Sequence, residues 1–252
     1  MKKLIILSAA LLLTVSLQAA VTNIIEVEID AANLSIQPTP DDLWQLPGTV
    51  DTIMKGGPHG VVPDGTLSLR DSRSIGDFGD PAHGFNNGYF LFTDGISPTN
   101  DTIINVDFDS PKTVEEVHIF ANWGDNRQFA YIEVWGSTTG TNEADYTKIG
   151  TALSGEFNET NDPPNQAYFR LGRLYDDADG VLANNITSLK LIQKNVGYGI
   201  GVGYGVMLPP GTVSPGGVSG SAHMEIDIIG IPEPATLLVS GLLLGLAFLR
   251  RN

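Results

Sequence analysis

Apolar and polar residues alternate in short runs along most of the chain, and Gly, Pro, Asn and Asp separate the runs. Such alternation places every second side chain on one face of a strand. No stretch of the body keeps a helical period with caps. The pattern therefore predicts an all-β chain that folds as an antiparallel two-layer sandwich. The runs that predict strands are 23–30, 102–108, 114–120, 131–135, 186–192 and 224–229.

The two ends of the chain follow a different pattern. Lys2 and Lys3 precede a short apolar run over residues 4–17, and Ala19 and Ala20 supply small side chains after it. This arrangement is typical of a cleaved signal peptide, and it predicts a mature chain that begins near Ala20 or Val21. A permanent anchor is the alternative, but the run is shorter than the roughly 20 residues of a spanning helix.

At the other end, the sequence Pro232-Glu233-Pro234 precedes an uncharged run over residues 235–249, which Arg250 and Arg251 end. A helix over this run would be about 22 Å long, so it spans a bilayer only marginally. Basic flanks stay on the cytoplasmic side, which places the body of the protein outside.

These residues resemble the PEP-CTERM sorting tail. The resemblance covers about the last 22 residues, and it implies processing by an exosortase in a Gram-negative bacterium that makes extracellular polysaccharide. Signal peptidase and exosortase are then expected as processing partners, and the inner membrane as a transient one. The predicted organisation is a signal peptide over 1–20, a β extension over 21–69, a sandwich over 70–230 and a sorting tail over 231–252. A signal helix and a transmembrane helix would flank the sandwich.

The net charge limits the classes of partner that the exported part is expected to bind. Without Lys2, Lys3, Arg250 and Arg251, 10 basic residues remain against 29 acidic ones, a net charge near −19. This balance argues against nucleic acid as a partner. Cation binding, binding of neutral sugars and simple solubility all remain compatible with it. The chain has no cysteine, so burial alone must hold the domain together.

The order of elements from about residue 70 to 230 resembles the galactose-binding-like, discoidin-type jelly-roll sandwich. The resemblance depends on Thr93-Asp94-Gly95, the strands at 102–108 and 114–120, the loop at 123–127, and the closing run at 224–230. Family members often hold one structural calcium beside the Asp-Gly loop. Carried over, Asp94, Asp101 and Glu225 would supply its oxygen ligands. The alternative is a solvated turn and an edge-strand glutamate.

The same resemblance directs attention to the loop that follows the strand at 114–120. Trp123 offers a ring on which a sugar can stack, and Asp125, Asn126 and Arg127 offer hydrogen bonds. A structural role for the loop arginine and tryptophan is the alternative. Trp44 and Trp135 are interpreted as packing residues.

No histidine pair has zinc spacing, and no Gly-x-Ser-x-Gly motif is present. The sequence thus predicts a non-catalytic envelope or matrix protein that binds polysaccharide, with a structural calcium. A purely structural acidic surface protein is the first alternative. A glycoside-active enzyme with a carboxylate pair from distant strands is the second.

Overall fold

The strands of the computed structural model account for most of the residues whose structure can be described. Those residues are 21–28, 31–39, 41–55, 90–91, 101–123, 129–159, 168–194, 196–197, 207, 209–210, 218–219 and 222–232. The strands are β1 (Val21–Glu28), β2 (Val50–Lys55), β3 (Phe90–Leu91), β4 (Thr102–Trp123), β5 (Tyr131–Ser137), β6 (Thr147–Leu153), β7 (Tyr168–Asp176), β8 (Ala183–Gln193), β9 (Val196–Gly197), β10 (Val218–Ser219) and β11 (Ala222–Pro232). The helical elements among these residues are two single 3-10 turns, Ala31–Asn33 and Glu143–Asp145.

All the strand pairs are antiparallel, and the long strand β4 belongs to two layers. Its first half lies between β2 and β8, and β5 and β6 extend this front layer in the order β2-β4-β8-β5-β6. Its second half lies between β11 and β7, and β1 completes the back layer in the order β11-β4-β7-β1. The prediction of an all-β antiparallel sandwich is confirmed.

The bend in β4 explains how one strand serves both layers. A straight strand of 22 residues would be about 70 Å long, far more than a domain of this size can hold. The pairing with β8 is interrupted between Asp107 and Lys112, where Pro111 lies. Ile104 from the first half and Val117 from the second half are both buried in one apolar cluster. The sheet therefore folds over itself at residues 108–111, which we call the bend end, and the opposite end is the loop end.

Six of the strands were absent from the sequence prediction, and one boundary was wrong. The predicted strand at 102–108 was expected to end at residues 109–111, but β4 continues through them. Three of the missed strands, β3, β9 and β10, have only two residues each, and the longer ones are β2, β6 and β7. In β7 the buried positions include three in succession, 170–172, so period-two alternation is lost. In β6 small and polar residues occupy most positions.

The apolar core lies between the two layers, and a segment outside the sheets closes one of its edges. Leu43 donates a backbone hydrogen bond of 2.7 Å to the carbonyl of Ile228 on β11, and both Leu43 and Trp44 belong to the core cluster. Earlier in the same segment, Leu34 packs on Phe120 and Leu171. We call the described residues 34–39 and 41–46 the cover segment. The packing role predicted for Trp44 agrees with its complete burial.

A close approach of backbones occurs at Gly172 on β7. A Cβ placed there would overlap the carbonyl oxygen of Leu153 and would lie 2.7 Å from Cγ1 of Ile119. We therefore expect Gly172→Ala to lower the free energy of unfolding by about 3 kcal/mol in urea denaturation. Gly180→Ala is the comparison, because nothing lies within 4 Å of that position. Its φ of +74° limits its cost to about 1 kcal/mol. Equal losses in the two variants would contradict the packing explanation.

The predicted signal helix and transmembrane helix lie outside the described residues. In the part of the chain that the structure does describe, no helix has the length and apolar character needed to cross a bilayer. Of the sorting motif, Pro232 ends β11, where it pairs with Lys112. Glu233, Pro234, Arg250 and Arg251 are outside the described residues.

Candidate functional site

Two acidic residues on β11 are completely buried on the outer side of the back layer. Ile226 and Ile228 face the core, so the alternating Glu225 and Asp227 face away from it. Both acids nevertheless have no exposed surface. The cover segment crosses this side of the sheet and removes them from solvent, since Thr39 N–H donates to Asp227 Oδ2 at 3.0 Å.

Asp42 of the cover segment adds a third buried carboxyl group. One oxygen each from Asp42, Glu225 and Asp227 lies within 4.8 Å of the others, and we call this group the carboxylate cluster. Asp42 Oδ1 accepts hydrogen bonds from the backbone of Trp44 at 2.6 Å and of Gln45 at 3.3 Å. Its Oδ2 accepts one from Gln45 Nε2 at 2.8 Å. These bonds fix Asp42 in position at the start of the turn that inserts Trp44 into the core.

Asp227 has one carboxylate oxygen for which the structure provides no hydrogen bond. Oδ2 is bonded to Thr39, whereas Oδ1 is buried without a partner. An unsatisfied buried acceptor costs about 1–3 kcal/mol, and more when it is charged. Oδ1 of Asp227 would therefore gain a partner if either a proton or a cation were bound in the carboxylate cluster.

The electrostatics of the cluster lead to the same conclusion. Burial raises the pKa of Asp42 from 3.8 to about 6, even though its hydrogen bonds act against the shift. Burial and the negative charge of Asp42 together raise the pKa of Asp227 to about 8. Carboxyl groups this close cannot all ionise in a low-dielectric site unless a positive charge joins them. Near pH 7, Asp227 therefore keeps its proton when no cation is bound.

The donor set of the cluster fits a hard divalent cation. Ca²⁺ binds oxygen ligands at about 2.3–2.6 Å, so two ligands on opposite sides of the ion are about 4.8 Å apart. The three carboxylate oxygens lie within that span. Neither sulfur nor imidazole belongs to the cluster, which favours calcium over zinc.

The ligand set predicted from the sequence is only partly brought together. Glu225 lies in the carboxylate cluster, while Asp101 forms an ion pair with Lys194 at 2.8 Å at the loop end. Asp94 lies outside the described residues. Sequence reasoning missed Asp42 and Asp227. The signal that could have found Asp42 is its place directly before Leu43-Trp44, an apolar pair in an otherwise polar stretch.

A charged network adjoins the cluster on the same side of the sheet. His118 is directly opposite Asp227 in the β4–β11 ladder, and its Nε2 lies 2.6 Å from Glu116 Oε2. Arg173 binds both oxygens of Glu116. Hydrogen bonding to His118 and Arg173 lowers the pKa of Glu116 to about 2. Glu116 thus stays ionised at any ordinary pH and ties β4 to β7 beneath the cover segment.

Of the predicted sugar-binding residues, the structure describes Trp123, which lies at the loop end. Trp123 is the last residue of β4 and pairs with Tyr168. Asp125, Asn126 and Arg127 are outside the described residues. The structure adds aromatic side chains that the sequence analysis did not select: the rings of Tyr131 and Phe157 stack with centroids 6.0 Å apart. We call Tyr131, Phe157 and Tyr168 the aromatic platform.

The turn that carries Phe157 is held in place from several sides. Asn158 N–H donates to Met207 O at 2.7 Å, and Met207 N–H donates to Glu159 O at 3.0 Å. Arg170 bonds Glu159 at 2.6 Å, and its guanidinium lies 4.5 Å from the ring centroid of Phe129. Phe157 itself is 38% exposed. The platform therefore presents a fixed, partly open aromatic surface at the loop end, where β4 ends at Trp123.

The described part of the chain is thus a two-layer antiparallel sandwich with a buried carboxylate cluster and an aromatic platform at the loop end. No protein-family model matches the sequence, and no curated protein matches it.

Among solved structures, the chain is similar to CpGH89CBM32-6 of Clostridium perfringens, with 12% identity and a TM-score of 0.40 over 76% of this chain and 100% of that one. It is also similar to the C-terminal domain of a chitobiase from Bacteroides fragilis, with 15% identity and a TM-score of 0.38 over 74% and 97% of the two chains. The corresponding values for GH31 CBM32-2 bound to GalNAc are 10% and 0.30, over 73% and 99%. These scores are too low to carry an argument, so the fold assignment rests on the strand pairing.

Proposed function

We propose that this chain is an exported, non-catalytic sandwich protein that binds polysaccharide through the aromatic platform and the adjoining loop at 124–128. The observation that carries the proposal is the stack of the exposed Phe157 ring on the partly buried Tyr131 ring at the loop end, where Trp123 ends β4. Pyranose rings pack their apolar faces on such aromatic surfaces, while neighbouring polar groups bond the hydroxyls.

Preorganisation of the platform supports a binding role. The turn at 155–159 is tied by backbone bonds to residue 207 and by Arg170 to β7. A side chain that is already ordered loses less conformational entropy when a ligand arrives.

The route and destination of the chain form part of the same proposal. Signal peptidase would remove residues 1–20, and an exosortase would act at the tail that contains Pro232, Glu233 and Pro234. The C-terminal apolar run would hold the precursor transiently in the inner membrane, with Arg250 and Arg251 on the cytoplasmic side. The processed protein would reach the cell surface or the extracellular matrix of a Gram-negative-type bacterium. Polysaccharide is abundant there, and an acidic protein avoids binding nucleic acid.

A structural calcium is the second part of the proposal. Asp42, Glu225 and Asp227 would hold the ion and thereby join the cover segment to β11. The ion would neutralise the buried carboxylates and give Asp227 Oδ1 a partner. Its role would be to stabilise the sandwich, since the platform lies at the loop end, beyond the cluster.

Replacement of Phe157 tests polysaccharide binding. We expect Phe157→Ala to weaken capture of the purified exported chain by immobilised polysaccharide at least tenfold, because the sugar loses its stacking surface. Trp123→Ala should have a similar effect, and a glycan array supplies the panel of ligands. Thermal melts should show both variants folded.

Val50→Ala is the matched control, because Val50 is a 58% exposed apolar residue at the bend end. Its binding should equal that of the unaltered chain. Equal binding by all the variants would contradict the platform, and no binding by the unaltered chain would favour a purely structural acidic protein. Release of reducing ends from a polysaccharide, if lost when one carboxylate is replaced, would instead favour a glycoside-active enzyme.

A further inference from the structure

A cleft at the bend end, far from the aromatic platform, has more acidic than basic residues in its lining. It has a volume of about 460 Å³. Its charged lining residues are Asp145, Lys148, Asp176 and Asp179. The single lysine is already engaged, because Lys148 Nζ lies 2.9 Å from Glu133 on β5. The cleft therefore has an excess of carboxylates that no cation of its own offsets.

Asp176 is the most deeply placed of these acids, with only 5% of its surface exposed. Its Oδ1 accepts a hydrogen bond from Ala178 N–H at 2.8 Å, which belongs to the turn after β7. Within the described residues, no lysine, arginine or histidine forms an ion pair with it. A buried carboxylate of this kind gains stability from a nearby positive charge.

Val21, the first residue of β1, lies directly opposite Asp176 in the β1–β7 ladder and lines the same cleft. Its side chain lies over Gly150 of β6, since a Cβ added to Gly150 would come within 2.9 Å of Val21 Cγ1 and 3.0 Å of Leu174. The bare backbone of Gly150 thus leaves room for Val21. Residues paired in an antiparallel ladder have Cα atoms about 4.5–5.5 Å apart, so the backbone of Val21 lies beside that of Asp176.

We propose that this cleft is a binding site for a primary ammonium group, and that its occupant is the α-ammonium of Val21, which forms when signal peptidase cuts after Ala20. The inference rests on the proposed export of the chain. In the precursor, the nitrogen of Val21 belongs to a neutral peptide bond. Hydrolysis of the Ala20–Val21 bond adds one water, leaves the carboxylate on Ala20 and gives Val21 a charged amine at neutral pH.

Removal of the signal peptide would then stabilise the pairing of β1 with the rest of the sandwich. The first residues of a domain fray unless something ties them down, and β1 is an edge strand that pairs only with β7 among the described strands. An ion pair between Val21 and Asp176 would fasten this edge only after the leader is gone. The precursor would thus keep a looser edge strand during export than the mature protein has afterwards.

Two forms of the chain that differ only at the N-terminus test the ammonium site. One begins at Val21 and the other at Ala19, and each runs to Asn252 in the same detergent buffer after release from a removable fusion partner. The extra Ala19-Ala20 moves the charge about 7 Å along the strand without changing the net charge. At pH 7 we expect the folding equilibrium constant of the Val21 form to be about tenfold larger in urea denaturation.

The Val21 and Ala19 forms are then compared again with Asp176→Asn in both, which tests whether the difference depends on an ion pair with Asp176. The tenfold advantage should disappear in this variant but persist in Asp179→Asn, a matched change in the same cleft. NMR titration should give the α-amino group of the Val21 form a pKa about one unit above the usual 7.7–8.0. The advantage should then be complete below about pH 7.5 and lost as the pH rises past 9, because the folded pKa is the raised one.

Equal stability of the two forms, or an advantage that survives Asp176→Asn, would overturn the proposal. If Asp176→Asn fails to fold, the α-amino pKa of the unaltered Val21 form decides the question, and a value of 8 or less would overturn it. Mass spectrometry of the exported protein tests the export step separately. A native N-terminus other than Val21 would reject Val21 as the occupant even if the two prepared forms differ.

Discussion

In a chelating buffer, the free energy of unfolding should fall by on the order of 5 kcal/mol as the pH rises from 4 to 8. The cause is the carboxylate cluster, in which Asp227 has a pKa near 8 and Asp42 one near 6, against 3.8 for an ordinary aspartate. Between the pKa of 3.8 in the unfolded chain and the raised pKa of each aspartate in the folded one, the folded state binds more protons than the unfolded state. Each added unit of pH therefore favours unfolding. Urea denaturation at half-unit steps of pH measures the effect.

Asp227→Asn should remove most of this pH dependence and should make the metal-free protein more stable than the unaltered chain at pH 8. The amide keeps an acceptor for Thr39 N–H but carries no charge. Asp41→Asn is the matched control, since Asp41 is the exposed neighbour of Asp42. A curve for Asp227→Asn that still falls as steeply as the curve for Asp41→Asn would contradict the assignment. Glu116 affects only the acid end of this range, because its lowered pKa adds stability as the pH rises through its unfolded value of 4.5, and this effect is opposite in sign.

The sequence predicted those strands whose alternation reflects one buried face. In β4, Val117 and Ile119 alternate with the polar Glu116 and His118, and both apolar residues lie in the core. The alternation fails in β7, where both faces are covered: Leu174 packs in the core and Leu171 packs against the cover segment. β6 also lacks clear alternation, because small and polar residues occupy most of its positions. Such strands are recognisable only once the elements that pack on them are known.

The carboxylate cluster was harder to predict from the sequence than the strands were. Alternation on β11 places Glu225 and Asp227 on the outer side of the sheet, where acidic residues normally meet water. They are buried because Thr39 and Asp42, more than 180 residues away in sequence, fold across them. The resemblance to a known family identified Glu225. The position of Asp42 before Leu43-Trp44 could mark it as a candidate, but no local pattern could bring Asp42 and Asp227 together with Glu225, since their contact depends on the path of the cover segment.

The cover segment thus couples three parts of the molecule. Trp44 fills the core, Leu43 bonds the edge of β11, and Asp42 completes the carboxylate cluster. A change in the charge of the cluster must therefore act on the packing of Trp44, which follows Asp42 by two residues and donates to it. This coupling gives a cation at the cluster more influence on global stability than a surface ion would have.

Addition of calcium to chelator-treated protein at pH 7.5 should raise the melting temperature by about 10 °C. A ligand that binds only the folded state at 1,000 times its Kd adds about 4 kcal/mol, and each kcal/mol is worth about 2–4 °C in a domain of this size. Calcium must also displace the proton held by Asp227. Titration calorimetry in two buffers of different ionisation enthalpy should therefore show release of about one proton for each ion bound.

Asp42→Asn separates metal binding from packing, because its amide oxygen can still accept the hydrogen bond from Trp44 N–H. This variant should fold and show at most a small rise in melting temperature with calcium, whereas Asp41→Asn should respond like the unaltered chain. A melting temperature that calcium leaves unchanged would contradict the metal site. A rise of equal size in Asp42→Asn would place the ion elsewhere. Ion binding without proton release would show that Asp227 is not a ligand, because a carboxyl group that keeps its proton cannot complete the coordination.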